Sequence, residues 1–166
     1  MNKPDKIIVH HEAPPVIVSG NRFAIVNAFH KEKDFPISSL GYYVGYHYFI
    51  EKSGIIKQAR LDSDTGAHTV GYNEDSIGIC LAGNFDIELP TKEQEKSLRG
   101  LLVKKSKELS IPFSRVYPHR IFATKTCYGS KLSDTWADDL LKEEIKKSIL
   151  EQIVALFQKL IKYLKK

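Results

Sequence analysis

Ser76-Ile77-Gly78-Ile79-Cys80-Leu81-Ala82-Gly83 is a nearly continuous apolar run interrupted only by glycine. A run this short, without polar alternation, reads as a strand buried on both faces, with Cys80 as a core residue inside it. Such a strand needs neighbours in its sheet and helices above and below. Working outward finds both. Lys6 to Val9 is a second β-rich run leading into His10 and His11, with Ala13-Pro14-Pro15 forcing a turn beyond. Phe113 to Tyr117 reads as a further buried strand that delivers His119 at its end. Tyr42 to Ile50 and Ile55 to Ala59 are β-prone runs joined by Glu51-Lys52-Ser53-Gly54, a hairpin with glycine supplying the positive φ. Asn21 to Lys33 carries Phe23, Ile25, Val26, Ala28 and Phe29 at nearly helical spacing, with Gly20 or Asn21 as N-cap. Thr91 and Gln94 form a capping box opening a helix to about Leu109, with Leu98, Leu101, Leu102 and Leu109 on one side. A last helix runs from about Trp136 to Tyr163. The expected fold is α/β: a mixed central β-sheet flanked by α-helices, with an added C-terminal amphipathic helix.

With 166 residues and 42% hydrophobic content, the chain suffices for one buried core. Two cysteines suggest no disulfide framework. The net charge of +5 is uneven, because residues 142–166 hold seven lysines against three glutamates and leave the remainder nearly neutral. Clustered arginines and base-stacking aromatics are missing, so nucleic acid is not an expected partner. Met1-Asn2-Lys3-Pro4-Asp5-Lys6 has no secretory apolar run, and no stretch approaches the roughly 18 apolar residues of a membrane span. Synthesis in the cytoplasm without a signal peptide is therefore expected.

The division expected is a catalytic domain over residues 1–139 and a basic amphipathic helix over 140–166. In the latter, Leu141, Ile145, Ile149, Ile153, Leu156, Leu160 and Leu164 recur at three and four, with most lysines between them. Leu150, Val154, Phe157 and Ile161 widen this stripe beyond a narrow coiled-coil seam. Three readings stay open: the stripe packs on the domain, pairs with another copy, or engages an anionic membrane surface.

The chemistry lies in Pro118-His119-Arg120-Ile121-Phe122-Ala123-Thr124-Lys125-Thr126-Cys127, taken with Ile7-Ile8-Val9-His10-His11. His and Cys are the donors that Zn2+ prefers, and three protein ligands leave a fourth tetrahedral position for a water that the metal acidifies. A structural zinc site would need a fourth Cys or His, usually in close-spaced pairs; Cys80 and Cys127 are far apart. Successive strand residues face opposite ways, so only one of His10 and His11 reaches such a metal.

Several motifs then fall in a familiar order: Val9-His10-His11, Gly45 to Ile50, Gly66-Ala67-His68 with Gly71-Tyr72-Asn73, Ser76 to Ile79, Gly83-Asn84-Phe85, and His119 to Cys127. This order resembles the zinc-dependent N-acetylmuramoyl-L-alanine amidases. They are relatives of the peptidoglycan recognition proteins and of the small amidase-type phage lysozymes, or endolysins. The likeness runs from about Lys6 to Trp136, and the pair Tyr46 and Lys125 looks most like the phage branch. Ile121 and Tyr128 stand where many relatives carry Asp and Pro, and the cysteine pair of the animal proteins is missing.

The resemblance implies a peptidoglycan hydrolase that cleaves the amide between N-acetylmuramic acid and the L-alanine of the stem peptide. It implies Zn2+ on His10, His119 and Cys127, with Lys125 stabilising an oxyanion and Tyr46 as a phenol donor on a strand of the hairpin. The expected partner is peptidoglycan, which a chain made without an export signal would meet after holin-type release or lysis, and the chain is expected to be a monomer. A cytoplasmic muropeptide-recycling amidase and a non-catalytic peptidoglycan-binding module remain alternatives. His68 and Asn73 are candidates to line the substrate groove. His11 and His47 are expected to be structural, and His30 to sit on a helix surface or cap.

Overall fold

The computed structural model describes residues 1–14 and 19–164; in the last helix, the side chains at 143–145, 147 and 148 are also outside the described set. Pro15 of the expected turn, Ile145 of the expected stripe, and Lys165 and Lys166 fall outside accordingly. Among the described residues, five strands form one sheet in the order β3-β2-β4-β1-β5. They are β1 (Lys6–His11), β2 (Tyr48–Ile50), β3 (Ile56–Gln58), β4 (Ser76–Leu81) and β5 (Val116–Pro118). The helices are α1 (Arg22–Glu32), α2 (Lys92–Glu108) and α3 (Trp136–Leu164). β1 runs parallel to both β4 and β5, and β2 is parallel to β4 but antiparallel to β3, so the sheet is mixed as expected.

Every residue of β1 and β4 is buried, which is why neither shows polar alternation. The two faces carry different cores. Ile7, Val9, Ile77, Ile79 and Leu81 project to one side and pack with Leu98 and Leu102 of α2 and Leu140 and Leu141 of α3. Phe49, Cys80 and Ala82 project to the other, against Phe23 and Val26 of α1. Asn21 caps α1 through its side chain, and Thr91 and Gln94 close the capping box of α2.

Three local expectations need correction. The hairpin strands are shorter than read: Ile50 pairs with Ile56 around Gly54 (φ 83°), but residues 42–47 are not strand. Their backbone is held instead by side chains: the buried Arg60 guanidinium donates to the Val44 carbonyl (2.8 Å), the Tyr43 N–H donates to Asn27 Oδ1 (2.8 Å) and the Gly45 N–H to His30 Nδ1 (3.0 Å), while Arg60 also ties in the carbonyls of Thr65 (3.1 Å) and Pro36 (2.5 Å). Residues Phe113–Arg115 form a 3-10 turn before β5 rather than its beginning, closed by Arg115 N–H on the Pro112 carbonyl at 2.9 Å. Finally, His30 is buried, not superficial, because α1 turns Phe23, Val26 and His30 inward at helical spacing and leaves Phe29 53% exposed.

Candidate metal centre

β1 places His10 on the α1 side of the sheet and His11 on the other, as alternation requires. The register that sets Val9 against Pro118 carries His119, the next residue of the chain, alongside His10, and their rings lie 4.3 Å apart. Cys127 arrives on the loop that follows. The His11 backbone N–H donates to its Sγ at 3.4 Å, and the same sulfur lies 3.7 Å from His10 Nδ1. One donor atom each from His10, His119 and Cys127 falls within 4.8 Å of the others. Zinc bonds of about 2.0 Å to nitrogen and 2.3 Å to sulfur, meeting near the tetrahedral angle, would set N and S about 3.5 Å apart. The donor set and its spacing therefore fit a zinc ion.

The protonation states suit ligation at the imidazoles. Burial, reinforced by the neighbouring His68, His119, His11 and Lys125, drives His10 well below the ordinary histidine range. Burial beside Lys125 and His11 takes His119 down to about 4. Both rings thus hold a free lone pair at neutral pH. Burial pushes the Cys127 thiol up to about 12, against the pull of the His11 N–H and the Lys125 charge. That sulfur needs a cation beside it to become a thiolate.

Behind the donors stands a supporting shell. His10 Nε2 meets His68 Nδ1 at 3.1 Å, which leaves Nδ1 of His10 for the metal side. The His68 ring lies directly on the glycines at 78 and 66: a Cβ at Gly78 would stand 2.5 Å from His68 Cδ2, and one at Gly66 2.6 Å from it. Thr69 Oγ1 is 2.9 Å from His68 Nδ1. Asn73 turns its Oδ1 to the N–H groups of His68 and Thr69, both at 2.8 Å, so its carbonyl shapes the loop. His68 and Asn73 both line a cleft of about 490 Å³ that adjoins the metal pocket.

The Cys127 loop is clamped by residues to which sequence reading gave no such role. Arg120 donates to the carbonyls of Gly129 (2.8 Å) and Leu132 (2.7 Å) and pairs with Asp134. Asp86 accepts from Thr126 Oγ1 at 2.8 Å and from the Ser130 N–H at 2.6 Å. Tyr128 beside Cys127 is fully buried and donates to the Ser133 carbonyl at 3.0 Å. Glu12 is another unforeseen lining group, paired with Arg22. His30 lines the same pocket; its Nδ1 accepts from the Gly45 N–H at 3.0 Å.

Tyr46 and Lys125 both face this pocket, whose volume is about 460 Å³. Tyr46 sits two residues before β2, not on a hairpin strand, with its ring 5.0 Å from that of His10. Burial, with the nearby thiols of Cys80 and Cys127, raises its phenol well above the ordinary tyrosine range. Lys125 is exposed at the rim. His47 is structural: its Nδ1 accepts from the Gly78 N–H at 3.0 Å, and its Nε2 lies 2.9 Å from the Asp64 carbonyl. His11 likewise faces the opposite core, its Nδ1 accepting from the Phe85 N–H at 3.0 Å.

Two imidazoles and a thiol brought to one open cleft are three protein donors with room for a fourth ligand, the coordination pattern of catalytic zinc sites. Residues 1–130 match the family model described as N-acetylmuramoyl-L-alanine amidase, and the chain belongs to that family. The endolysin of Escherichia phage T7 is 35% identical over 98 residues, covering 56% of this chain and 64% of that endolysin. The alignment thus spans less than two thirds of that relative's length. Peptidoglycan-recognition protein SC2 of Drosophila melanogaster is 26% identical over 136 residues, 79% of this chain and 73% of that one. Among solved structures, N-acetylmuramoyl-L-alanine amidase LysC from Clostridium intestinale URNW shares the fold at a TM-score of 0.67 and 26% identity. That likeness covers 89% of this chain and 86% of LysC.

Proposed function

We propose that this chain hydrolyses the amide between N-acetylmuramic acid and L-alanine in peptidoglycan, using a zinc ion on His10, His119 and Cys127, as a phage or prophage endolysin. The observation that carries this reading is the convergence of those three donors, drawn from opposite ends of the chain, at a cleft that also holds Tyr46 and Lys125. When bound, zinc supplies an acidified water and a Lewis acid for the amide carbonyl.

The chain's own groups do the rest. Lys125 at the rim offers a cation to the oxyanion that forms as the carbonyl is attacked, worth a few kcal/mol of barrier by analogy with other oxyanion donors. Tyr46 keeps its proton at any working pH, so it serves as a hydrogen-bond donor that orients water or substrate rather than as a base. His68 holds the His10 ring in the tautomer that presents Nδ1. All of these groups come from one copy of the chain, which supports a monomer as the working unit. An endolysin role adds release from the cytoplasm to the wall; among the described residues, no helix is long and apolar enough to cross a membrane.

Purified murein separates the alternatives. The parent chain is expected to contain about one zinc per molecule, to clear wall suspensions, and to release products with new L-alanine amino termini. A chelator or Cys127→Ser should abolish all three. Wall binding without product would instead identify a non-catalytic binding module, and activity confined to soluble muropeptides would identify a recycling enzyme.

A further inference from the structure

α3 passes through positions 139 and 140 as one helix, but its two halves live in different surroundings. Ala137, Leu140 and Leu141 are buried in the sheet's core. From Ile149 onward every large apolar side chain is exposed: Ile149, Leu150, Ile153, Val154, Leu156, Phe157, Leu160, Ile161, Tyr163 and Leu164 range from 44% to 77%. The domain therefore does not cover the stripe.

The pattern of that half is sharply divided. At about 100° per residue, those ten side chains fill one half of the helix circumference, whereas Glu151, Gln152, Gln158, Lys159 and Lys162 fill the remaining arc with only Ala155 among them. A two-stranded coiled coil buries a narrow seam at two positions in seven and would leave both flanks of so wide a face in water. A helix lying in a bilayer interface buries about half its circumference. Charge favours the same partner: residues 149–166 carry four lysines and one glutamate. Sixteen residues of helix reach only about 24 Å, short of the roughly 30 Å hydrocarbon core, so the segment lies on a membrane and does not span it.

We propose that the second half of α3, from Ile149 to Leu164, docks on an anionic lipid surface, its apolar half-cylinder below the headgroups and its lysines among them. This goes beyond wall hydrolysis and does not require it. The test is co-sedimentation of the full chain with vesicles of phosphatidylglycerol and phosphatidylethanolamine, against vesicles of phosphatidylcholine alone.

Partitioning onto the anionic vesicles is expected to be at least roughly tenfold stronger and to weaken as salt is raised. Phe157→Ser with Leu160→Ser should reduce it by about tenfold or more, as should Lys159→Glu with Lys162→Glu. Circular dichroism and thermal melting of each variant guard against misfolding. Equal binding to both vesicle types, no binding, or no response to either pair of substitutions overturns the proposal. Sedimentation velocity covers the remaining occupant: an oligomer dissolved by the Phe157 and Leu160 changes, with no vesicle binding, would assign the face to a second copy and also overturn it.

Discussion

Replacing Gly78 by alanine tests how the donor cluster is held without altering any of the three donor side chains. The new Cβ would stand 2.5 Å from His68 Cδ2 and 2.6 Å from Cγ. Carbon atoms in contact prefer about 3.5 to 4.0 Å, so the imidazole must retreat by roughly 1 Å. Gly78 lies on the central strand β4, paired with Ile8 of β1, so the strand cannot give way without breaking its ladder. The ring is what moves. A retreat of that size stretches the His68–His10 contact from 3.1 Å to about 4 Å, outside hydrogen-bonding range.

His10 then loses the partner that fixes its tautomer, and loss of such outer partners weakens metal affinity by about 10- to 100-fold, or roughly 1.4 to 2.7 kcal/mol. Overpacking adds about 1 to 3 kcal/mol of lost stability. The assay is zinc competition against a fluorescent chelator, alongside thermal melting and murein clearing. His68→Ala in the same assay should lose similar zinc affinity without the overpacking. If Gly78→Ala binds zinc as tightly as the parent while its melting temperature falls, His68 does not position His10, and the argument built on the glycine floor fails.

Other outcomes follow from the same contacts. Tyr46→Phe should lower kcat by roughly 10²-fold while leaving zinc content unchanged; wild-type turnover by this variant would remove the phenol from the mechanism. Burial holds His47 down to about 4, so it stays neutral in the fold but takes up a proton near 6.5 when unfolded. Its contribution is complete above pH 6.5 and is lost as pH falls towards 4, by about 3 kcal/mol. His47→Asn, which keeps an acceptor for the Gly78 N–H, should give a shallower loss in urea melts between pH 7 and 4; an unchanged slope refutes the assignment. Gly100 lies exposed in α2, and a Cβ there meets nothing within 4 Å. Gly100→Ala should stabilise by about 0.5 to 1 kcal/mol, a rise of roughly 1 to 4 °C in Tm, with unchanged activity.

Why some of this was legible in the sequence and some was not follows from where the information resides. β1 and β4 were readable because burial on both faces leaves an apolar run that no loop would carry. The three donors were readable through the order of the motifs around them and the resemblance that order carries; taken singly, among six histidines and two cysteines, none of them stands out. Residues 42–47 read as a strand because their aromatic and β-branched content suits one, while the partners that bend their path, Asn27, His30 and Arg60, lie elsewhere along the chain and act on backbone groups that any residue possesses. The same holds for Arg120 and Asp86, whose clamps on the Cys127 loop are made largely to main-chain groups. His30 was misplaced because Phe29 beside it competes for the inward position, and only the packing of α1 against Phe49 and Ala82 decides between them. His68 was noticed as a groove residue, but the feature that locks it is two missing side chains, at Gly66 and Gly78, which a sequence displays without saying what fills the space.

The register of β1 is the quantity on which the donor set turns. β1 is pinned on both sides, with His10 against Cys80 of β4 and Val9 against Pro118 of β5. A slip of one residue would exchange the faces, aim His11 into the cleft and send His10 into the apolar core with Phe85. The cost of that exchange is high on both sides: Ile7 and Val9 would leave the α2 and α3 core, and the Phe85 N–H would lose the acceptor it has in His11 Nδ1. The hydrophobic core thus selects which histidine joins the donor cluster. It also separates the two proposed activities, since α3 packs on the face opposite the cleft; changes beyond Ile149 should alter lipid binding while leaving the geometry of the three donors untouched.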